Sequence, residues 1–260
     1  MMRKKIKIDA SFIPKEVCIA HEPVCVLIDA VRASCTITTF FDKRAESLTL
    51  IEDETIYFRD HPEAMREPFC LSAENADGSR AELAEVSPSL MDLKSHPSYE
   101  GKHVLFRTTN GTVGVRTLIE LGIKNVLIGS MLNCDAVAKA AIDRAVENNT
   151  GVCAVCAGRE EGRIYCIDDT YCSGVLIRSM AAYAESIGYE ADLQDAAKIA
   201  CGMLDLYKDA EDAFRHSGTG EIMRRLSKEE DLVLCARHNV TRVVPCVERV
   251  NQDGSVRICI

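Results

Sequence analysis

An acid and a base three residues apart, Asp29 and Arg32, separate the apolar run VCVLI at residues 24–28 from the hydroxyl-rich stretch ASCTITT. At the carboxyl end of a buried strand, a carboxylate and a guanidinium both reach a ligand without being buried unpaired. A carboxylate can hold a hard cation or accept a proton, and a guanidinium binds an oxyanion bidentately. A local ion pair or a helix cap explains the same segment equally well, so other loops must decide.

Two loops carry chemistry of the same kind. VLFRTTNGTVGVRTLIELG passes from a strand through Thr108, Thr109, Asn110, Gly111 and Thr112 into a helix that closes at Gly122. Hydroxyls, an amide and a glycine before a helix expose backbone N–H groups, which bind phosphate or sulfonate oxygens together with the helix dipole. The competing reading, an Asn-Gly hairpin turn, needs a second strand where a helical pattern follows. The third loop, CAGREEGRIYCIDDTYCSG, has a bend at Gly158 and then the adjacent carboxylates Asp168 and Asp169. Hard oxygens at a helix start suit Mg²⁺, which keeps several waters and bridges to phosphate, although capping alone also accounts for them. Neither G-x-G-x-x-G nor G-K-[ST] occurs, so a dinucleotide or nucleoside triphosphate has little support.

The elements that must position these loops alternate. Short apolar runs at 24–29, 103–108, 125–129 and 152–156 are each followed by polar or glycine-containing residues and a helix-like segment. Helices are expected at about 134–147 behind a cap at Asn133, at 171–187, and at 192–215 after Asp192. The last would place Ala196, Ile199, Ala200, Met203, Leu206 and Tyr207 on one face. The fold class expected is a three-layer α/β/α protein with a mainly parallel, mixed sheet, and a single domain over residues 1–260. Right-handed crossovers should then gather the loops along one sheet edge.

Composition narrows the partners. With 31 basic and 40 acidic residues the chain carries a net charge of −9, which argues against nucleic acid and anionic membranes as partners. The basic opening MMRKK has no apolar stretch of signal-peptide length behind it, and no run is long enough for a membrane span. A cytoplasmic protein with a small anionic partner is expected, and a homodimer stays open. Thirteen cysteines cannot all pair within one chain, and most sit in apolar runs as small hydrophobes. CAVC at 153–156 reads as core packing, because no second C-x-x-C completes a zinc site.

In their order along the chain, VLIDAVRASCTI, TTNGT, CAG with DDTYCSG, and DLVLCARHNVTRVVP resemble the motifs of the 2-phosphosulfolactate phosphatases. SAENADG with the later SP resembles that family's Gly-Glu-Arg and Asn-Ser-Pro region. The resemblance covers nearly the whole chain. It implies a Mg²⁺-dependent α/β hydrolase that removes phosphate from a 2-phosphorylated hydroxy acid. It further implies functional roles for Asp29, Arg32, Glu74, Thr109, Asn110, Gly111, Thr112, Asp168 and Asp169. Asp29, Arg32 and Asp168 are expected in catalysis, Glu74, Asp169 and Asp29 as metal ligands, and Thr108 to Thr112 with Gly158 against the substrate. Asp29 as ligand, base or nucleophile remains open. A haloacid-dehalogenase-type D-x-D is absent, since Val31 stands where its second Asp would be.

Three departures bear on the substrate. Asn75 stands where the family has Arg, Val86 where it has Asn before Ser-Pro, and Glu221 where an Arg is usual. These changes predict weakened sulfonate recognition and a less anionic ester, unless Arg80 folds back as a replacement donor. Two rival functions are an isochorismatase-like hydrolase with a reactive Cys172, and a non-catalytic anion-binding relative.

Overall fold

The five residues of VCVLI are all buried, as a strand covered on both faces must be, and they form β2 (Val24–Ile28). The computed structural model describes residues 4–19, 23–66 and 68–260; residues 1–3 of the basic opening lie outside them. The other strands are β1 (Lys5–Ser11), β3 (Ser47–Leu50), β4 (Phe69–Ala73), β5 (His103–Arg107), β6 (Val126–Gly129), β7 (Val152–Cys156), β8 (Glu190–Leu193), β9 (Cys246–Val250) and β10 (Val256–Cys259). Together they form one ten-stranded sheet in the order β4-β5-β3-β10-β9-β6-β2-β7-β1-β8. The α/β class and the mainly parallel, mixed sheet are as expected.

The sheet has two parallel blocks. Strands β6, β2, β7, β1 and β8 pair in parallel on one side. Strands β3, β5 and β4 pair in parallel on the other. The hairpin of β9 and β10 joins them through three antiparallel pairings. Three reversals between β6 and β3 mean that the two blocks run in opposite directions. Loops after β2 and β7 nevertheless line the same cleft as loops after β4 and β5. A flat sheet would put those carboxyl ends on opposite edges, so this sheet must coil. The expected single edge is therefore replaced by two edges brought together by curvature.

Side-chain alternation shows what the sheet coils around. Val24, Val26 and Ile28 face a core shared with α5 (Cys134–Glu147) and α6 (Ile167–Ser186). Cys25 and Leu27 face a second core, where α1 (Ala33–Asp42) and α4 (Gly111–Glu120) also meet Leu48, Leu50, Val104 and Phe106 of the other block. Helix α2 (Glu54–Asp60) covers the outer face of the three-stranded block through Tyr57 and Phe58. Burial of Cys153 and Cys156 in β7 fits the core-packing reading of CAVC.

Two expectations about helices need correction. Asn133 precedes α5 but does not cap it; its amide oxygen instead accepts from the N–H and hydroxyl of Ser130. Residues 192–215 are not one helix. Asp192 lies in β8, paired to β1, and the rest divides into α7 (Asp195–Gly202), a 3₁₀ turn and α8 (Ala210–Arg215). Asp209 causes the restart, its side chain accepting from Asp212 N–H as an N-cap. Ile199 and Leu206 consequently face solvent, at 60% and 70% exposure. The helix expected at 171–187 starts earlier, at Ile167, so that it includes Asp168 and Asp169.

Candidate active site

A cleft of about 790 Å³ opens where the two blocks meet. Asp29, Arg32, Glu74, Thr108, Thr109, Asn110, Gly158, Asp168 and Asp169 all line it. Residues expected from four separate loops are thus brought together.

Backbone amides hold the carboxylates of the five-stranded block. Asp29 follows β2, and its Oδ1 accepts from Ala33 N–H at 3.2 Å, the first residue of α1. It therefore acts as the local cap considered from the sequence, but it does not pair with Arg32. Asp169 accepts from Ala30 N–H at 2.8 Å on Oδ1 and from Gly158 N–H at 2.9 Å on Oδ2. Both of its oxygens are engaged, and they tie the loops after β2 and β7 together. Asp168 is held more loosely, by the Thr219 hydroxyl at 3.3 Å.

Burial dominates their protonation. It pushes Asp29 up to about 7, with the charges of Glu74 and Asp168 adding to the effect and the Ala33 amide and Arg32 opposing it. Burial likewise raises Asp168 to about 6, and it raises Asp169, where Asp168 and Asp29 add repulsion. Such a cluster either retains protons at neutral pH or takes a cation. Mg²⁺ fits this donor set: it is commonly held by one or two carboxylates with waters completing its shell. Asp29 Oδ2 and Asp168 are the oxygens least committed to protein partners. Glu74 and Asp169, expected as ligands, have both oxygens in hydrogen bonds.

Side-chain ion pairs hold the contribution from the other block. Arg32, 4% exposed, donates from Nη2 to Glu74 Oε2 at 2.8 Å and to the Gly78 carbonyl at 3.0 Å. Its Nη1 reaches Asp231 Oδ2 at 3.4 Å. Those contacts use three of the five guanidinium donors. Glu74 Oε1 accepts from both the N–H and the hydroxyl of Thr109, each at 3.2 Å. Asp231, in α10 (Glu229–Cys235), also accepts from Ser89 Oγ and Met91 N–H at the start of α3 (Leu90–Lys94). No role was expected for Asp231, although it opens the DLVLCARHN motif; the requirement for two acids around one buried arginine was the missing signal.

The start of α4 is built for close approach. A Cβ on Gly111 would lie 2.6 Å from Ala33 Cβ and 3.1 Å from Asp29 Oδ2, so only glycine lets α4 begin against α1 and that carboxylate. Thr112 N–H donates to Thr108 Oγ1, and Asn110 Oδ1 accepts from Glu161 N–H. Gly114 N–H donates to the Asn110 carbonyl, while the amides of Gly111 and Val113 belong to the first turn, where an α-helix offers no intrahelical acceptor, and Val113 lines the cleft.

The positions that guided the substrate expectation lie elsewhere. Neither Asn75, Arg80, Val86 nor Glu221 lines the cleft. The NADGSR loop does fold back, with Asn75 donating to Ser79 Oγ, but Arg80 turns outward and donates to the Glu85 carbonyl. Val86 is buried beside β4, and Glu221 is exposed in the first turn of α9 (Gly218–Arg225). Arg159, Arg163 and Arg225 line the cleft instead. Arg159 lies over Gly218, its guanidinium within 2.9 Å of where a Cβ would sit. Its buried Nε has no hydrogen-bond partner among the described residues. A cation above a helix start, with an orphaned donor, is suited to an anionic group. As for the cysteine rival, Cys172 is 1% exposed, burial raises its thiol far above the ordinary range, and it does not line the cleft.

Comparison with known proteins agrees with this arrangement. The 2-phosphosulpholactate phosphatase family matches residues 11–249. A relative from Thermus thermophilus, named probable 2-phosphosulfolactate phosphatase, is 28% identical over 87% of this chain and 89% of its own. One from Deinococcus radiodurans, with the same name, is 29% identical over 87% of this chain and 88% of its own. The 2-phosphosulfolactate phosphatase of Methanothermobacter thermautotrophicus is 26% identical over 90% and 89%. A match across almost the whole chain, in which the motif-bearing loops after β2, β4, β5 and β7 converge on one cleft, places this protein in the 2-phosphosulfolactate phosphatase family.

Proposed function

We propose that this chain is a Mg²⁺-dependent phosphoric monoester hydrolase acting on 2-phospho-3-sulfolactate or a closely related 2-phosphorylated hydroxy acid. The observation that carries the reading is the juxtaposition of a buried arginine, three buried aspartates and the glycine-bearing start of α4 in one cleft. Monoester hydrolysis needs negative charge neutralised, the phosphoryl group oriented and the leaving oxygen stabilised.

Asp29 and Asp168 would hold Mg²⁺, which supplies charge neutralisation and a more acidic attacking water when bound. The chain's own residues do the rest. Arg32 binds phosphoryl oxygens through donors that Glu74, Gly78 and Asp231 leave unused, and those partners fix its plane. The first amides of α4 bind the same group. Asp169 keeps the loops after β2 and β7 at a fixed separation. Arg159 and the start of α9 take the second anionic group, the sulfonate or carboxylate, so the full charge of the sulfonated ester is met by positions other than Asn75. A reducing, cytoplasmic setting is part of this proposal and suits thirteen unpaired thiols.

Phosphate release from 2-phosphosulfolactate, 2-phospholactate and 2-phosphoglycolate, with Mg²⁺ and again with excess chelator, tests the reading. Metal-dependent release with preference for the sulfonated ester is expected. Full activity in chelator would remove the metal from the mechanism, and no release from any of the three would favour a non-catalytic anion-binding protein.

A further inference from the structure

Outside the cleft, a second group of ligating side chains comes together at the seam between α5 and the segment after α10. Cys134, the first residue of α5, Asp135 beside it and His238 place one sulfur, one carboxylate oxygen and one imidazole nitrogen within 4.8 Å of one another. Neighbouring atoms in a tetrahedral zinc shell are roughly 3–4 Å apart, as bond lengths of about 2.0–2.3 Å require. These three atoms therefore need little movement to share an ion. Cys134 is buried, whereas Asp135 and His238 are exposed, so the group opens to solvent on one side and a water can complete four-coordination.

The surroundings hold the group in place. Asp135 Oδ1 accepts from Ser179 Oγ at 2.8 Å, which leaves the other oxygen for a metal. Cys134 Sγ lies 3.7 Å from the same hydroxyl. Asn239, next to His238, accepts from Asp135 N–H through Oδ1 at 2.9 Å, and its own N–H donates to the Met131 carbonyl at 3.0 Å. Thr241 N–H donates to the Leu132 carbonyl at 3.1 Å. These three hydrogen bonds clamp the His238 segment to the start of α5 before any ion arrives. A ligand that must stay within reach of its partners is supported from outside the coordination shell, as metal sites require.

We propose that Cys134, Asp135 and His238 form a binding site for a thiophilic divalent cation of the Zn²⁺ class, separate from the phosphatase cleft. Sulfur, imidazole and carboxylate together select such an ion over Mg²⁺, whose ligands are hard oxygens. Binding converts the Cys134 thiol to thiolate, forms the metal–sulfur bond and releases one proton to solvent. The ion joins the start of α5 to the segment leaving α10, the helix whose Asp231 braces Arg32. Its effect is structural.

Co²⁺ is the probe. The full chain, stripped with chelator and then held in excess Mg²⁺ to occupy oxygen sites, is titrated with Co²⁺ while thiolate-to-metal charge transfer is followed. One equivalent with a one-thiolate signature, displaced by Zn²⁺, is expected. His238→Gln, at an exposed position, should weaken Co²⁺ binding at least about tenfold and raise the charge-transfer onset accordingly. Cys134→Ser should abolish the signature. Cys246→Ser, at a thiol 3.6 Å from Cys259, should leave it unchanged. An unaltered signature and affinity in His238→Gln would overturn the proposal, as would the absence of any thiolate signature in the unmodified protein. Because none of these readouts uses turnover, the outcome is independent of the phosphatase reading.

Discussion

The two sides of the cleft hold their functional groups by different means. On the five-stranded side, Asp29 and Asp169 are fixed by main-chain amides at strand ends and helix starts. On the three-stranded side, Glu74 is fixed by the side chains of Arg32 and Thr109, and Arg32 in turn by Asp231. The Asp29–Ala33 and Asp169–Gly158 contacts are local and form with their own strand–helix turns, while the Asp169–Ala30 contact joins neighbouring strands of one block. The ion-pair chain is a long-range device that forms only when the two blocks meet. Substitutions on the first side should therefore change chemistry more than stability, and substitutions on the second should change both.

The largest effect should come from breaking the long-range device. Arg32→Met leaves two buried carboxylates without their cation, and loss of one partner from a buried pair costs on the order of 3–5 kcal/mol. Urea unfolding should show that loss together with near-complete inactivity; unchanged stability would mean that the blocks do not depend on this link. Asp29→Asn keeps the shape of the cap and should lower turnover by on the order of a hundredfold or more while the melting temperature stays close to that of the unmodified protein. Normal turnover would make Asp29 a cap and nothing more.

A second pair of variants sharpens the substrate side of the same contrast. Arg159→Gln removes one contact to a charged group, worth about 1.5–3 kcal/mol, or roughly ten- to a hundredfold in kcat/KM for the sulfonated ester and little for an ester lacking the second anion. Equal losses for both would assign Arg159 to the phosphoryl group. Asn75→Arg lies outside the cleft and should change kcat/KM by less than about twofold, since surface changes are usually within about 0.5 kcal/mol.

Metal-free stability should also report on the aspartates. The folded-state value of Asp29, about 7, lies above its ordinary value of 3.8, so the folded form binds the proton more tightly than the unfolded chain. The stability this contributes is complete below about pH 4 and is lost as the pH rises towards 7. Urea titrations without divalent cations should show that decline between pH 4 and 7, with a smaller slope in Asp29→Asn. A flat profile in the unmodified protein would show that Asp29 titrates normally.

What the sequence disclosed follows the same division. The turns at Asp29, at Thr108 to Gly111 and at Asp168 and Asp169 were legible because strand, turn and helix are neighbours in the chain, and composition marks each step. Asp231 and Arg159 were not. The partner of Asp231 lies 199 positions away and that of Arg159 is the start of α9, and no periodicity encodes such a meeting. Six strands were missed: β3, β4, β8, β9 and β10 are only four or five residues long, and β1, at seven, lies in the opening read only for its basic charge. The broken helix at 192–215 failed differently, since its apolar spacing matched a helix while Asp209 supplied a better start for a new one.

The hairpin of β9 and β10 carries a consequence for how the chain comes to be folded. Its residues, 246–250 and 256–259, come later in chain order than every strand it joins. During synthesis β3 and β6 must each wait with an unsatisfied edge until this segment arrives, and such edges invite pairing with other chains. The seam is also the step of highest sequence separation, so closing it should limit the folding rate. A peptide of residues 244–260 supplied in excess should compete for the gap while it is open and slow refolding of the full chain, and it should have no effect once the hairpin has closed it.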